Sequence, residues 1–224
     1  MEKMIVANHK MNLSIDQVND YINEIKASKL NIVIAPTNIY IPYFLNNGIK
    51  VAIQNIYYEN MGNYTGEVSP MQAKKLGVQY VLVGHSERRR IFHENDDVVN
   101  KKVKAALSNG LKVILCIGEN IGENYKEVLH RQIVMGLKDV SDKVIISYEP
   151  VYAIGTNIIP DKDELKEIIS YIRSHFDYDV KVLYGGSVNK DDALDLKMDE
   201  IDGYLIGSVS LNPKDFIVIG EVLM

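Results

Sequence analysis

Eight short apolar runs recur along the chain, and they constrain its fold more than any other feature. They are I-V-A-N (5–8), I-V-I-A-P (32–36), V-A-I-Q-N (51–55), Y-V-L-V-G-H (80–85), K-V-I-L-C-I-G-E (112–119), V-I-I-S-Y-E (144–149), V-K-V-L-Y-G-G (180–186) and G-Y-L-I-G-S (203–208). Most are continuous rather than alternating, which is typical of strands buried on both faces of a parallel sheet. The runs therefore predict a parallel sheet with covered faces.

Segments with helical periodicity lie between these runs. Residues 14–27 place apolar side chains at helical spacing after Ser14, a candidate N-cap, and residues 98–107 and 161–173 repeat the pattern. Alternating strands and helices imply right-handed βαβ units. Eight such units predict one closed (β/α)8 barrel over residues 1–224. No G-x-G-x-x-G motif follows the first run, which disfavours a dinucleotide-binding fold.

The composition limits partners and compartment. The net charge of −5 disfavours nucleic acid and anionic membranes as partners. The N-terminal residues lack a signal-peptide pattern, and no apolar stretch is long enough to span a bilayer. The one cysteine, Cys116, lies within an apolar run, so we expect a buried structural thiol in a reducing compartment. We therefore expect a cytoplasmic protein.

Polar residues and glycines collect at the carboxyl ends of the predicted strands. These residues are Asn8, Lys10, Gln54, Asn55, His85, Ser86, Glu87, Glu119, Glu149, Gly185, Gly186, Ser187, Gly207 and Ser208. Scattered surface polarity would not favour the same end of several strands. Because the carboxyl ends of the strands form the active-site rim of such barrels, we expect the site there.

Three of these side chains suit proton transfer beside a carbonyl. Glu149 ends a buried strand, where partial loss of water makes a carboxylate a better base. His85 precedes a short predicted helix with Ser86 near its cap, and a helix N-terminus favours the neutral imidazole. Lys10, beside Asn8, is a candidate cation for an anionic substrate or oxyanion. Each residue alone also has a structural alternative: a surface lysine, a partly buried histidine or a paired glutamate.

Two glycine-bearing turns follow the last two strands. Y-G-G-S-V (184–188) and L-I-G-S (205–208) allow backbone N–H groups to approach an anion closely. Loops after strands seven and eight are the usual phosphate site of this barrel class. Gly155 would add a third donor if its loop folds over the phosphate. The alternative is two ordinary tight turns.

Taken together and in order, the motifs resemble the triosephosphate isomerase family along nearly the whole chain. They are N-H-K-M-N (8–12), Q-N (54–55), G-N-Y-T-G-E (62–67), G-H-S-E-R-R (84–89), C-I-G-E (116–119), Y-E-P-V-Y-A-I-G-T (148–156), Y-G-G-S-V (184–188) and G-Y-L-I-G-S-V-S-L (203–211). The resemblance implies a TIM barrel that interconverts dihydroxyacetone phosphate and glyceraldehyde 3-phosphate through an enediolate. It also implies a role in glycolysis and gluconeogenesis.

The resemblance implies a catalytic role for three residues. Glu149 would be the base, His85 the neutral electrophile at the carbonyl, and Lys10 the group that supports the negative enediolate. Asn8 would bind the substrate with Lys10, and Glu87 would pair with Lys10 from behind. No metal or organic cofactor is implied, and the sequence offers no ligand cluster for one.

The resemblance also implies a lid and an oligomer. A lid from Pro150 to about Thr156 would close over the substrate and bring the N–H of Gly155 to the phosphate. The remaining phosphate donors would be Ser187, Gly207 and Ser208. Family members typically form dimers through the loop that matches residues 56–67, here carrying Tyr64 and Thr65, and some short members are tetramers.

Three positions depart from the family pattern. His9 replaces a bulky aromatic residue, and we expect it to pack below the site without a chemical role. Ser208 replaces a common glycine. The end of the lid, N-I-I-P (157–160), is about two residues short, and its stiff Pro160 puts the second hinge in question.

Two other readings remain open at this stage. In the first, the chain is another phosphosugar isomerase on the same barrel. In the second, it is a non-catalytic barrel that binds phosphorylated metabolites. Intact Lys10, His85 and Glu149 disfavour the second, because a binding module needs no base.

Overall fold

Eight parallel strands form a closed barrel in the computed structural model, which describes residues 3–155, 160–189 and 193–223. The strands are β1 (Met4–Asn8), β2 (Ile32–Ala35), β3 (Lys50–Ile53), β4 (Tyr80–Val83), β5 (Lys112–Ile117), β6 (Ile145–Tyr148), β7 (Lys181–Tyr184) and β8 (Gly203–Ile206). Each strand pairs with the next along the chain, and β8 closes on β1 with Ile5 opposite Tyr204. The predicted (β/α)8 barrel is confirmed.

Helices follow the strands and cover the outside of the barrel. In the described residues they are α1 (Ile15–Ile25), α2 (Ile41–Asn46), α3 (Pro70–Leu76), α4 (Ser86–Phe92), α5 (Asp96–Ser108), α6 (Tyr125–Gly136), α7 (Lys162–Arg173), α8 (Ala193–Leu196) and α9 (Pro213–Leu223). Short 3-10 turns span Asn38–Tyr40, Val151–Ala153 and Ser208–Leu211. The three helices predicted from periodicity are all present.

Local capping explains where several helices begin. The Ser14 hydroxyl accepts the N–H of Gln17, and the Gln17 side chain accepts the N–H of Ser14, so both ends of a capping box are present. Asn95 and Asp161 cap α5 and α7 in the same manner with their side-chain oxygens. Each cap satisfies N–H groups that the first helical turn leaves without a partner.

The strands are buried on both faces, which explains their continuous apolar sequences. Side chains at alternate positions fill the barrel interior: Met4, Val6, Val33, Ala35, Ala52, Leu82, Ile114, Cys116, Leu183 and Leu205. The intervening positions, such as Ile5 and Ala7, belong to a larger core between strands and helices. The barrel is therefore a packed scaffold and leaves the carboxyl rim for polar groups.

Most strands end one or two residues before the apolar runs that predicted them. His85 and Glu149, which end two runs, lie just beyond β4 and β6 rather than inside them.

In the part of the chain that the structure describes, no helix is both long and apolar enough to cross a bilayer.

Candidate active site

A small cavity at the carboxyl ends of the strands brings together ten residues singled out from the sequence. Its volume is about 200 Å³, and its lining includes Asn8, Lys10, His85, Glu149, Gly155, Gly185, Gly186, Ser187, Gly207 and Ser208. These residues come from the ends of β1, β4, β6, β7 and β8 and the segment after β6. Parallel strand order places all of them at one end of the barrel.

Glu149 is the most enclosed polar group of this cavity. Its backbone N–H donates to the carbonyl of Ile117 at 2.8 Å, which extends the β5–β6 pairing by one residue. The residue is 2% exposed, and Oε1 lies 3.5 Å from the hydroxyl of Ser147. Oε2 has no hydrogen-bond partner among the described residues. A carboxylate with one oxygen left unpaired is arranged to exchange a proton with a ligand.

Gly185 provides the space that the Glu149 side chain occupies. A Cβ built at Gly185 would lie 2.6 Å from Cγ of Glu149 and 2.8 Å from Oγ of Ser147, which is far closer than real Cβ contacts. The sequence suggested this glycine only as part of an anion-binding turn. The structure adds a second reason for it, because any larger residue would displace the carboxylate.

His85 caps the helix that follows it. Its Nδ1 accepts the N–H of Glu87 at 3.2 Å, so the neutral ring carries its proton on Nε2. Nε2 lies 3.7 Å from Oε2 of Glu149. Ser86 lies beside the cap, as expected, as the first helical residue, and His85 itself is the cap. The cap thus fixes the ring with an N–H donor on the side of Glu149.

Lys10 lies in a left-handed backbone conformation, with φ of 51°. Its N–H donates to Oδ1 of Asn8 at 3.1 Å, and its carbonyl accepts from the amide of Gln54 at 2.8 Å and the hydroxyl of Thr37 at 3.1 Å. A left-handed conformation is unfavourable for a residue with a Cβ, so these bonds offset a local strain.

Glu87 holds the ammonium group of Lys10. The Lys10 Nζ–Glu87 Oε1 distance is 2.6 Å. Burial by itself raises the pKa of Glu87, but the hydrogen bond from Lys10 and the neighbouring positive charges outweigh it and lower that pKa. Glu87 is therefore an anion at neutral pH and keeps Lys10 oriented at the edge of the cavity.

The first part of the lid lies against the cavity. Val151–Ala153 form a 3-10 turn, and Gly155 has a left-handed φ of 69°. The hydroxyl of Ser187 donates to the carbonyl of Ala153, which ties the lid to the loop after β7. Thr156 and the second hinge at 157–159 lie outside the described residues.

Glu119 anchors the beginning of the lid. Its carbonyl accepts the N–H of Val151 at 2.9 Å, and its carboxylate accepts the hydroxyl of Tyr148 at 2.9 Å. Burial raises the pKa of Glu119. The sequence placed Glu119 at the rim but gave it no role.

Two departures from the family pattern have clear structural outcomes. Ser208 begins a 3-10 turn, and the non-glycine residues with left-handed φ in the described chain are Lys10, Leu13, His93 and Asp139, so its Cβ causes no strain. His9 is buried against the rings of Tyr21 and Phe44, and burial lowers its pKa to about 4. Its expected packing role is confirmed.

Cys116 also lies where the sequence predicted. It is buried in the barrel interior, and burial together with the neighbouring Glu149 raises its pKa well above the ordinary value. A thiol in this state is a poor nucleophile.

A buried ionic network lies behind the rim and was not predicted from the sequence. The ammonium of Lys102 donates to Oδ1 of Asn55 at 2.7 Å and to Oε1 of Glu94 at 2.6 Å, and Arg88 pairs with the same carboxylate at 2.6 Å. From the sequence, Lys102 would be expected at an exposed position of a helix, because no local pattern predicts its burial. The network fixes the loop after β3 to α5.

Tyr64 and Thr65 do not line the small cavity. They lie on the exposed loop after β3, where the ring of Tyr57 packs against those of Tyr58 and Tyr64 with centroids 4.1 and 4.5 Å apart. A second groove of about 350 Å³ lies beside the site and includes Lys10 and the exposed Met11.

Fold and site together define a (β/α)8 barrel with a glutamate, a histidine and a lysine around a small cavity at the carboxyl ends of its strands. A family model described as triosephosphate isomerase matches residues 3–223. The triosephosphate isomerase of Thermodesulfovibrio yellowstonii is 41% identical to this chain, over 97% of this chain and 98% of the relative. The chain belongs to the triosephosphate isomerase family.

More distant members of the family agree over the same length. The triosephosphate isomerase of Clostridium botulinum strain Okra is 39% identical, over 96% of this chain and 97% of the relative. That of Aquifex aeolicus is 36% identical, over 98% of each chain.

Proposed function

We propose that this chain interconverts dihydroxyacetone phosphate and D-glyceraldehyde 3-phosphate by proton transfer through an enediolate. The observation that carries the proposal is the meeting of three groups in one cavity, with Nε2 of His85 3.7 Å from Oε2 of Glu149 and Lys10 in the same lining. Family membership supports the substrate and the reaction.

In this proposal, Glu149 removes a proton from the carbon beside the carbonyl and returns it to the neighbouring carbon. The N–H on Nε2 of His85 polarises the carbonyl oxygen, and Lys10 stabilises the negative charge that develops there. Asn8, which accepts the backbone N–H of Lys10 and lies in the same cavity, helps to bind the substrate.

The phosphate group would bind at the other part of the cavity. Gly155, Ser187, Gly207 and Ser208 line it there, and glycine-rich turns present N–H groups to anions. The hydroxyl bond from Ser187 to Ala153 supports a lid that excludes water. An enediolate phosphate can expel its phosphate, so a closed lid would suppress that side reaction.

A coupled assay of triose phosphate interconversion tests the base. We expect Glu149→Gln to lower turnover by at least about a thousandfold while substrate binding changes little, since the lost interaction acts in the transition state. Glu127→Gln is a matched control, because Glu127 is exposed on α6. Unchanged turnover in Glu149→Gln would show that another group is the base.

The same assay separates the two other readings. An inactive wild type that binds inorganic phosphate tightly would identify a binding barrel. Higher turnover with a larger phosphosugar would identify another isomerase. The cavity of about 200 Å³ is smaller than the roughly 300–1,000 Å³ of pockets for drug-sized ligands, which favours a three-carbon substrate.

We also propose that the chain forms a homodimer in which the loop of residues 56–67 enters the groove beside the partner's site. Each surface exposes a large apolar side chain: Met61 on the loop is 75% exposed, and Met11 at the groove is 90% exposed. Contact between two such surfaces would remove them from water. A tetramer built from two dimers is the alternative.

Mass measurement by light scattering tests this assembly. Thr65→Arg, with Tyr64 beside it, places a charge at the loop tip and is expected to yield monomers with lower activity. Asn23→Arg on exposed α1 adds the same charge elsewhere and should leave the mass unchanged. A dimer that survives Thr65→Arg would exclude this loop as the contact.

The remaining proposals concern the extent and location of the protein. We infer that residues 1–224 form one domain, because the described residues close a single barrel from β1 to β8. We infer a cytoplasmic location from a lone, buried cysteine and from the family's substrate.

A further inference from the structure

Two histidines meet on the outer surface of the barrel, far along the chain from each other. Nδ1 of His130 on α6 lies 3.1 Å from Nε2 of His175, which follows the end of α7. His130 is exposed and His175 is half-buried. The proposed catalytic chemistry uses neither residue.

The backbone fixes which nitrogen of His175 is available. Nδ1 of His175 lies 2.9 Å from the carbonyl of Tyr171, and a carbonyl can only accept a hydrogen bond. In the neutral ring the proton is therefore on Nδ1, and Nε2 presents a lone pair to His130. A backbone carbonyl that holds the far nitrogen in this manner is the usual second contact of metal-binding histidines.

Two parallel rows of side chains position the pair. Lys126 and His130 are four residues apart on α6. Glu167 and Tyr171 are four residues apart on α7, and His175 follows Tyr171 at the same spacing just beyond the end of that helix. Lys126 pairs with Glu167 at 3.0 Å, and the ring of Tyr171 packs edge-on against His175 at 4.8 Å. The two imidazoles are therefore presented by a fixed seam between neighbouring helices.

The spacing of the rings suits a shared metal ion. Two imidazole nitrogens bound tetrahedrally at about 2.0–2.1 Å from zinc would lie about 3.3 Å apart. The observed separation is 3.1 Å, with ring centroids 5.3 Å apart, so the two nitrogens already lie close to the distance that one shared ion requires.

We propose that His130 and His175 form a surface site for a divalent transition metal ion that prefers imidazole, such as Zn²⁺. The ion would bind Nε2 of His175 and Nδ1 of His130, whose proton would move to Nε2 of the same ring, and water would complete the coordination. The bound ion would link α6 to the end of α7 on the outside of the barrel. Among the described residues no group of three or more His, Cys, Asp or Glu side chains is arranged to hold a metal, so we assign two protein ligands.

The chain offers few competing sites for such an ion. It has five histidines and one cysteine, and His9 and Cys116 are buried in the core. His93 is exposed at the end of α4 and serves as a matched control. His85 lies in the candidate active site, so an ion bound there would reduce turnover.

Titration of the full chain with Zn²⁺ by calorimetry, in a buffer that does not chelate the ion, tests the site. We expect one equivalent to bind to the wild type and to His93→Ala. Binding should weaken at least about tenfold in both His130→Ala and His175→Ala, because each loses one of two ligands. Zn²⁺ should raise the Tm of the wild type but not of these two variants, and turnover should remain unchanged.

Two outcomes would overturn the proposal. Zn²⁺ affinity that is unchanged in His130→Ala and His175→Ala would exclude the pair, as would binding that parallels a loss of turnover. X-ray absorption on the zinc-loaded wild type provides a second measurement that needs no variant. We expect two imidazole ligands, and fewer than two would exclude the shared site.

Discussion

Glu149 and Lys10 line the same cavity, but the chain holds them by different means. Glu149 is enclosed by close packing: its backbone continues the strand pairing, Gly185 leaves room for its side chain, and Oε2 has no hydrogen-bond partner in the described structure. Lys10 is held by polar contacts, with Asn8 on its N–H and Glu87 on its ammonium group.

The difference follows from what each group must do in the proposed reaction. A base has to gain and lose a proton, and strong hydrogen bonds to its carboxylate would favour the ionised form throughout. A cation has to stay charged, and a paired carboxylate favours that state. Packing therefore suits the residue that changes its charge, and hydrogen bonds suit the residue that keeps it.

After loss of the Glu149 carboxylate itself, the largest effect is expected from removal of the positive charge of Lys10. Lys10→Met should lower kcat/KM by about 10²–10³-fold, because developing negative charge loses its partner and Glu87 is left unpaired. Steady-state kinetics measure the change, and Lys75→Met, at an exposed lysine of α3, is the control. A loss below threefold would remove Lys10 from the proposed chemistry.

The next largest effect is expected where Gly185 packs closely against Glu149. Gly185→Ala places a Cβ only 2.6 Å from Cγ of Glu149, so we expect turnover to fall by about a hundredfold through displacement of the carboxylate. Gly136→Ala on α6 is the control, because its Cβ would meet only ordinary contacts at 3.6 Å or more. Equal activity of both variants would show that Glu149 can relocate freely.

A smaller effect is expected where hydrogen bonds hold the backbone of Lys10. Gln54→Ala removes the amide that donates to the carbonyls of Lys10 and Ala35 at 2.8 and 2.9 Å. We expect KM to rise about tenfold and the free energy of unfolding to fall by about 1 kcal/mol. Kinetics and urea unfolding measure the two changes.

Gln54→Glu refines the test, because it keeps the size of the side chain but removes its donors. The two variants should weaken substrate binding to a similar degree. Wild-type KM in both would mean that Thr37 and Asn8 are sufficient to hold Lys10.

The smallest effect on activity, and a distinct effect on stability, is expected at His9. Burial lowers its pKa from 6.5 to about 4, so the folded ring stays neutral while the unfolded ring takes up a proton as the pH falls. Stability present above pH 6.5 is then lost towards pH 4, by roughly 3 kcal/mol from this group.

His9→Phe should remove that part of the pH dependence and leave turnover at neutral pH unchanged. Urea unfolding between pH 7 and pH 4 measures it. His93→Phe, at an exposed site, should retain the wild-type slope. An identical slope in His9→Phe would mean that His9 does not resist protonation in the folded chain.

Much of the site could be predicted because its residues lie next to strands that are easily recognised. Asn8, His85 and Glu149 follow apolar runs, so parallel strand order was enough to place them at one rim. Ser86 was placed near the helix cap, but the capping role of His85 was not predicted, because helix starts are uncertain by a residue when several polar residues follow one another.

The pair of Lys10 and Glu87 was implied by the family resemblance, but the contacts that Gln54 and Lys102 make with distant residues were not predicted. Gln54 reaches the carbonyl of Lys10 across 44 positions, and Lys102 reaches Asn55 across 47. Nothing in the local sequence distinguishes such a lysine from a solvated one, since burial of a charge depends on partners that another part of the chain supplies.

The sequence by itself determined the barrel, the order of its strands and the end at which polar groups gather, because hydrophobic periodicity and capping act over a few residues. Only the tertiary structure decided how tightly Gly185 approaches Glu149, how the strained backbone of Lys10 is held, and that His130 meets His175. These features depend on distances of a few ångströms between segments remote in sequence, and such distances are set by the packing of the whole barrel.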